Sequence, residues 1–259
     1  MNTSRKTTID EAGKLTSTSR QTALKESKMK VTAPNLIRAA GLSAMVAGAI
    51  FAVIQPIHPP DVLASVTTAQ WATVHYLSIA MDIFALLGIL GLYARQVEKS
   101  GWLGLTGYLL FSLFWASSLA SHFIEAFIFP LVATNAPKLA EGLVGIVNGA
   151  PSEISLGAFP VVNMLAGIVG YALGGLLFGI AIIRARILPR WAGVLLAVGI
   201  VLPFFTQSLV QHPYDRILAV PVALALAWLG YSLFAERRAP ISEPVTGLGS
   251  PEFSKTGAD

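Results

Sequence analysis

The residues able to do chemistry in this chain are few and lie close together along it. Asp82 stands about ten residues into an apolar stretch, where an ionisable side chain is costly and is normally turned toward a protein interior or a water-filled cavity. His75 lies two helical turns before it, and Ser78 falls between them at i+3 from His75 and i−4 from Asp82. At helical spacing the three form one polar stripe. A second stripe runs through Ser118, His122 and Glu125 at i, i+4 and i+7, with Ser121 beside it. Asn163, Thr206, Gln207, Gln211 and His212 add polar groups further along, and Gln55 and His58 close the first apolar stretch.

Three chemistries suit this set. Imidazole and carboxylate are the usual oxygen and nitrogen ligands of Zn²⁺, so His75, His122 and Glu125 are the first candidates for a metal, with Asp82 as acid and base. The His75–Asp82 stripe could instead relay protons and couple them to movement of a solute. Thirdly, the polar groups could bind a small polar molecule or a lipid headgroup. No HExxH or comparable spaced motif accompanies the histidines, so a metal site would rest on these three residues alone. For each group a plain structural role stands beside the functional one: His58 and His212 suit an interface, and His122 with Glu125 suits a pair near the headgroups.

Other classes find no support. The chain has no cysteine, which removes disulfides, thiolate metal sites and cysteine nucleophiles. A haem between helices would call for histidine pairs at both ends of the bundle, and all four histidines fall toward one end. No phosphate-binding loop, serine-hydrolase elbow or arginine-rich helix is present. Nucleotide, haem and nucleic acid are therefore not expected ligands.

The elements that must position these residues are transmembrane helices. The chain is 54% hydrophobic and 12% charged over 259 residues, about half the charge of an ordinary soluble domain. Mean hydropathy is +0.66. Apolar blocks predict an all-α polytopic membrane protein with six spans, at about 36–57, 73–94, 102–128, 157–183, 191–211 and 217–235. Residues 1–35 and 238–259 read as disordered polar tails flanking a 36–237 transmembrane domain. Of the 18 Lys and Arg residues, all but Lys138 and Arg216 fall on one side of the six spans. The positive-inside rule then puts both termini in the cytoplasm and the histidines in the outer halves of the spans.

Short connections predict antiparallel hairpins. Residues 136–148 place Leu139, Leu143 and Ile146 on one helical face, as in a short helix lying on the outer surface. Trp71, Trp102 and Trp191 mark span ends in the manner of an aromatic belt, and Pro203 should kink the fifth span. Gly170/Gly174 and Gly175/Gly179 are small-xxx-small pairs, which suit a central helix or a homo-oligomer contact. A partial internal repeat is visible in Arg38-Ala-Ala-Gly41 with His58-Pro-Pro-Asp61, against Arg190-Trp-Ala-Gly193 with His212-Pro-Tyr-Asp215.

The run Ile57-His58-Pro59-Pro60-Asp61, with Trp71 to His75 and Gly88 to Arg95, resembles a family of uncharacterised bacterial six-helix integral membrane proteins. Leu173-Gly174-Gly175 and Ile187-Leu-Pro-Arg190-Trp191 are similar to it too. The resemblance implies a fold and a bacterial plasma-membrane setting, and no activity. The leading expectation is a protein that binds or transports a small polar solute or ion through an outward-facing polar cavity. The alternatives are a membrane-embedded metal-dependent hydrolase at the outer leaflet and a structural or accessory subunit. The bilayer itself is the one partner the composition requires.

Overall fold

The computed structural model describes residues 32–146, 150–206, 209–210 and 214–236. The proposed tails, and Gln207, Gln211 and His212, lie almost wholly or wholly outside the described residues. Among the described residues every regular element is helical.

Helix α1 (Ala33–Ile57) starts where Thr32 caps it, accepting a bond from the Asn35 N–H at 3.4 Å, with Pro34 in the first turn. Proline suits that place because its missing N–H would have no partner there. The helix stops at His58, ahead of Pro59 and Pro60. After a single turn, α2 (Leu63–Val66), comes α3 (Ala69–Phe127), capped by Thr68 and 59 residues long. It is not one rod. Gly101 takes φ 55° and ψ −155°, conformations a side chain resists, and the chain doubles back there. Tyr93 stacks on Tyr108 at 4.6 Å, and Asp82 meets His122, so the arms before and after Gly101 pack antiparallel. We call these arms α3a and α3b.

Short helices α4 (Phe129–Asn135) and α5 (Pro137–Gly145) follow. The segment 136–148 thus contains a helix, but its buried positions are Ala140, Gly142 and Val144, whereas Leu139, Leu143 and Ile146 are only half-buried. Small residues face inward because α5 lies close on the body of the protein. Next come α6 (Phe159–Leu165), a π-helical stretch (Ala166–Gly174) and α7 (Gly175–Ala185), one continuous apolar length of 27 residues. Then come α8 (Arg190–Thr206), a 3₁₀ turn (Tyr214–Ala219) and α9 (Val220–Ala235).

Four helical stretches are long and apolar enough to cross a membrane: Ala33–Ile57, Ala69–Phe127, Phe159–Ala185 and Tyr214–Ala235. This is fewer than the six expected, for two physical reasons. The second and third expected spans are the two arms of α3. The fifth, α8, is helical over 17 residues, about 25 Å against a hydrocarbon layer of about 30 Å. Pro203 lies inside α8, whose described residues run to Thr206.

Each long helix packs on its neighbour in sequence, and α9 returns to close against α1. The core between them holds Ile89, Leu92, Phe111, Trp115, Phe178, Leu196, Ile200, Leu226 and Leu229. Glycine sets the spacing. A Cβ on Gly230 would sit 2.5 Å from the Gly41 carbonyl oxygen, and one on Gly88 would sit 2.7 Å from the Ala44 Cα. The helix backbones touch at these points, as small residues permit in apolar surroundings. Gly170 and Gly174 lie against Phe114 and Phe111, and Gly179 lies against Ala197. These glycines are occupied within the chain, by α3b and α8.

Candidate functional site

Both polar stripes lie on α3, one on each arm, and the turn at Gly101 brings them face to face. Asp82, with 0% of its surface exposed, accepts or shares a proton with His122 Nδ1 at 2.7 Å from its Oδ2. Seven residues up the same arm, His75 Nε2 lies 3.2 Å from Glu125 Oε2. Two histidine–carboxylate pairs therefore bridge the hairpin, and each arm supplies one acid and one imidazole.

Proton accounting fixes part of their state. His75 Nδ1 lies 2.7 Å from the Trp71 carbonyl oxygen, which only accepts, so Nδ1 carries a proton. One further proton must then lie between Nε2 and Glu125, on the ring or on the acid. Likewise one proton lies between His122 Nδ1 and Asp82 Oδ2, and Ser118 Oγ lies 3.4 Å from the same ring nitrogen. The second nitrogen of His122 is left to exchange with whatever reaches it, for His122 is 22% exposed. Asp82 Oδ1 is buried with no hydrogen-bond partner among the described residues. Such an oxygen costs about 1–3 kcal/mol, which a fold retains where the group has a task or a water.

The imidazoles continue outward. The ring of His75 is 5.9 Å from that of His122 and 5.4 Å from that of His58. His58 Nδ1 donates to the Pro59 carbonyl at 2.7 Å. Burial pushes the His58 imidazole down to about 4, and the nearby Arg216 guanidinium adds to the shift. His58 is thus a neutral ring at the mouth of the series. Arg216 is held by Asp61 at 2.6 Å and by the Pro59 carbonyl at 3.3 Å, tying the loop after α1 to the 3₁₀ turn.

Trp71 departs from its expected place. It is 2% exposed, while Trp102 is 83% exposed. Its indole N–H donates to the Glu125 carbonyl at 2.8 Å and its ring lies 4.2 Å from His75. It is a clamp on the upper pair and not a member of a lipid-facing belt. Its place at the start of a span was the signal that misled, since burial depends on the neighbouring arm.

A cleft of about 210 Å³ opens beside these pairs, between α3b and the strand of helix running from α6 into the π-helical stretch. Ser117, Ser118, Ser121, His122, Glu125 and Asn163 line it. Of the residues picked out from sequence, Ser118, Ser121, His122 and Glu125 of the α3b arm and Asn163 are brought together, with His75 and Asp82 one layer behind; Ser117 is an addition from the structure. Ser78 is elsewhere occupied: it is buried and its hydroxyl bonds the Val74 carbonyl at 3.0 Å. Gln55 and Thr206 similarly bond the carbonyls of Phe51 and Leu202. The π-helical stretch contributes Ala166 and Gly167 to the cleft wall, and sequence periodicity carries no sign of it. Such segments are rare and recur beside functional sites.

Comparison with protein-family models, with curated proteins and with solved structures gives no match. Function must be read from the side chains alone.

For a metal the arrangement is poor. Among the described residues no group of three histidine, aspartate or glutamate side chains is placed to hold a metal ion. His75, His122 and Glu125 do come together, but the rings face carboxylate oxygens at hydrogen-bonding distance, and each such contact requires a proton where a metal would need a lone pair. As placed, both histidine–carboxylate contacts share a proton.

Proposed function

We propose that the chain is a six-span protein of the bacterial plasma membrane, with both termini cytoplasmic, that binds and moves a small polar solute or ion through the cleft beside His122 and exchanges protons for it. The observation that carries this reading is the double pairing of His75 with Glu125 and Asp82 with His122 across one hairpin, with His122 reaching from a fully buried carboxylate to an open cleft. Paired acids and imidazoles inside membrane helices are the common furniture of proton-coupled pathways. Six spans follow if α3a, α3b and α8 each cross, and the 16-to-2 division of Lys and Arg supports the orientation.

The test is transport by the purified full-length chain in proteoliposomes loaded with a pH-sensitive dye. A step in external pH should drive uptake of at least one member of a panel of amino acids, small amines and monovalent cations, and Asp82→Asn should abolish that uptake while its melting temperature stays near that of the parent. If no member of the panel moves and the dye reports no proton flux, the reading is wrong and the pairs serve packing. Because the chain lacks cysteine, orientation can be read separately. Single Lys99→Cys and Ser152→Cys variants should react with a membrane-impermeant maleimide from opposite faces of sealed membranes.

A further inference from the structure

We infer that the solute is an amphipath with a cationic amine or ammonium head and a single apolar chain, taken up sideways from the bilayer between α3b and α6. This rests on the transport reading above and names the class of ligand.

The shape of the cavity is the first ground. Three hollows lie side by side: a polar cleft of about 210 Å³, a small neck of about 30 Å³ and a groove of about 570 Å³. Asn163 lines all three, Ser121 and Glu125 line cleft and neck, and Ile146 lines neck and groove. The groove end is mostly apolar, with Ile154, Leu156, Pro160 and Met164 among its walls. The three share walls, and the row they form has a hydrogen-bonding end and an oily end.

Charge is the second ground. Among the described residues no Lys or Arg lines the cleft, the neck or the groove. The titratable groups at the polar end are Glu125 and His122, with Asp82 and His75 directly behind. The next groups out are His58 and Arg216, and Arg216 is held by Asp61. Two carboxylates and two imidazoles sum to zero when both rings are protonated and to −2 when neither is. An anionic head would thus meet no positive charge that is not already cancelled. A cationic head gains as the rings lose their protons, so its arrival and their deprotonation favour each other. That linkage is what an exchange of cation for proton needs.

The open side is the third ground. Helix α6 has no buried residue, and Val161, Val162, Met164 and Leu165 are all exposed. They lie at the start of a 27-residue apolar span, so this surface meets acyl chains. A Cβ on Gly167 would meet nothing within 4 Å, so the wall stands off from α3b just where the cleft lies. Further along, the same span is closed onto α3b by Gly170 and Gly174. The gap thus widens from Gly170 toward Gly167 and the exposed apolar residues of α6.

The experiment measures binding to the full-length chain in nanodiscs, with empty nanodiscs subtracted. The probes are radiolabelled dodecyltrimethylammonium, tetramethylammonium and dodecyl phosphate. The chain-bearing cation should bind at least about tenfold more tightly than either of the others, a difference readily resolved. Met164→Trp, at a position 53% exposed and so tolerant of bulk, should weaken dodecyltrimethylammonium about tenfold and leave tetramethylammonium unchanged. Ile154→Trp, on the same groove, is the second variant should the first fold poorly. Raising the pH should tighten the cation in the parent and not in His122→Ala. Equal binding of the two cations, tighter binding of the phosphate, or indifference to both tryptophans would overturn the inference. The transport reading would survive any of these if pH-driven uptake of a small solute persisted, and would fall with it only if that uptake were absent too.

Discussion

Helix α3 has two seams of opposite character. Its first arm meets α1, and α1 meets α9, through backbone contact at Gly41, Gly88 and Gly230. Its second arm meets α6 across a cleft lined by serine, histidine and glutamate, with open space at Gly167. Both seams lie in one apolar bundle, so hydrophobicity does not separate them. What separates them is residue size and the presence of hydrogen-bonding groups. Where small residues let backbones touch, the seam is closed and has nothing to offer a ligand. Where a polar row faces a mostly apolar helix that brings only Asn163 to the cleft, the helices stay apart and the row keeps free capacity.

The largest effect should come from filling the closed seam. Gly230→Leu forces a side chain into the Gly41 and Met45 backbone and should cost about 3 kcal/mol or more, read as a lowered melting temperature in detergent by circular dichroism. Gly167→Ala, in the open seam, should change stability by less than about 0.5 kcal/mol. Equal losses at the two sites would erase the distinction. Next in size is Asp82→Ala, which strands the His122 ring; a loss of about 2 kcal/mol is expected, against about half of that for Asp82→Asn, whose amide oxygen still accepts from Nδ1.

A pH titration sharpens the contrast further. His58 ionises near 4 in the folded protein and near 6.5 when unfolded, so the unfolded chain takes up its proton first. Stability is full above pH 6.5 and declines as the pH falls toward 4. His58→Asn should flatten that part of the curve, seen as a melting temperature that no longer drops between those values. The smallest effect is at the far end of α3a, where Arg95 forms a bidentate pair with Glu236 at 2.6–3.0 Å. The guanidinium holds the Glu236 carboxyl below the usual carboxylate range. Both side chains are over a third exposed, so Glu236→Gln should cost well under about 1 kcal/mol, and less in high salt.

Much of this was legible in sequence, and the pattern of what was not is physical. Long apolar blocks dictate helices, and the residues Gln96 to Gly101 announce a break between two of them. Helical spacing placed His75, Ser78 and Asp82 on one face and Ser118, His122 and Glu125 on another. That the faces would meet depends on the register of the turn at Gly101, which periodicity does not encode. Ser78 could not be told from its neighbours because a serine that bonds its own helix looks the same in sequence as one that faces a cleft. Asp61 and Arg216 escaped notice as a pair, being 155 residues apart. The far end of the span expected at 191–211 lies outside the described residues, which give α8 as Arg190–Thr206.

The turn at Gly101 has one more consequence, for how such a chain enters a membrane. A lone carboxylate at the middle of a helix opposes insertion by about 2.5–3.5 kcal/mol. Asp82 is that kind of burden, and Glu125, near the end of its arm, a lighter one; the imidazole paired with each lies on the other arm of the same hairpin, 40 residues away for Asp82. Inserted together, the two arms carry their own countercharges, and no later helix is required to make either acid tolerable. Both pairs are complete when the hairpin is, and the helices that arrive afterwards add Asn163 and the far wall of the cleft.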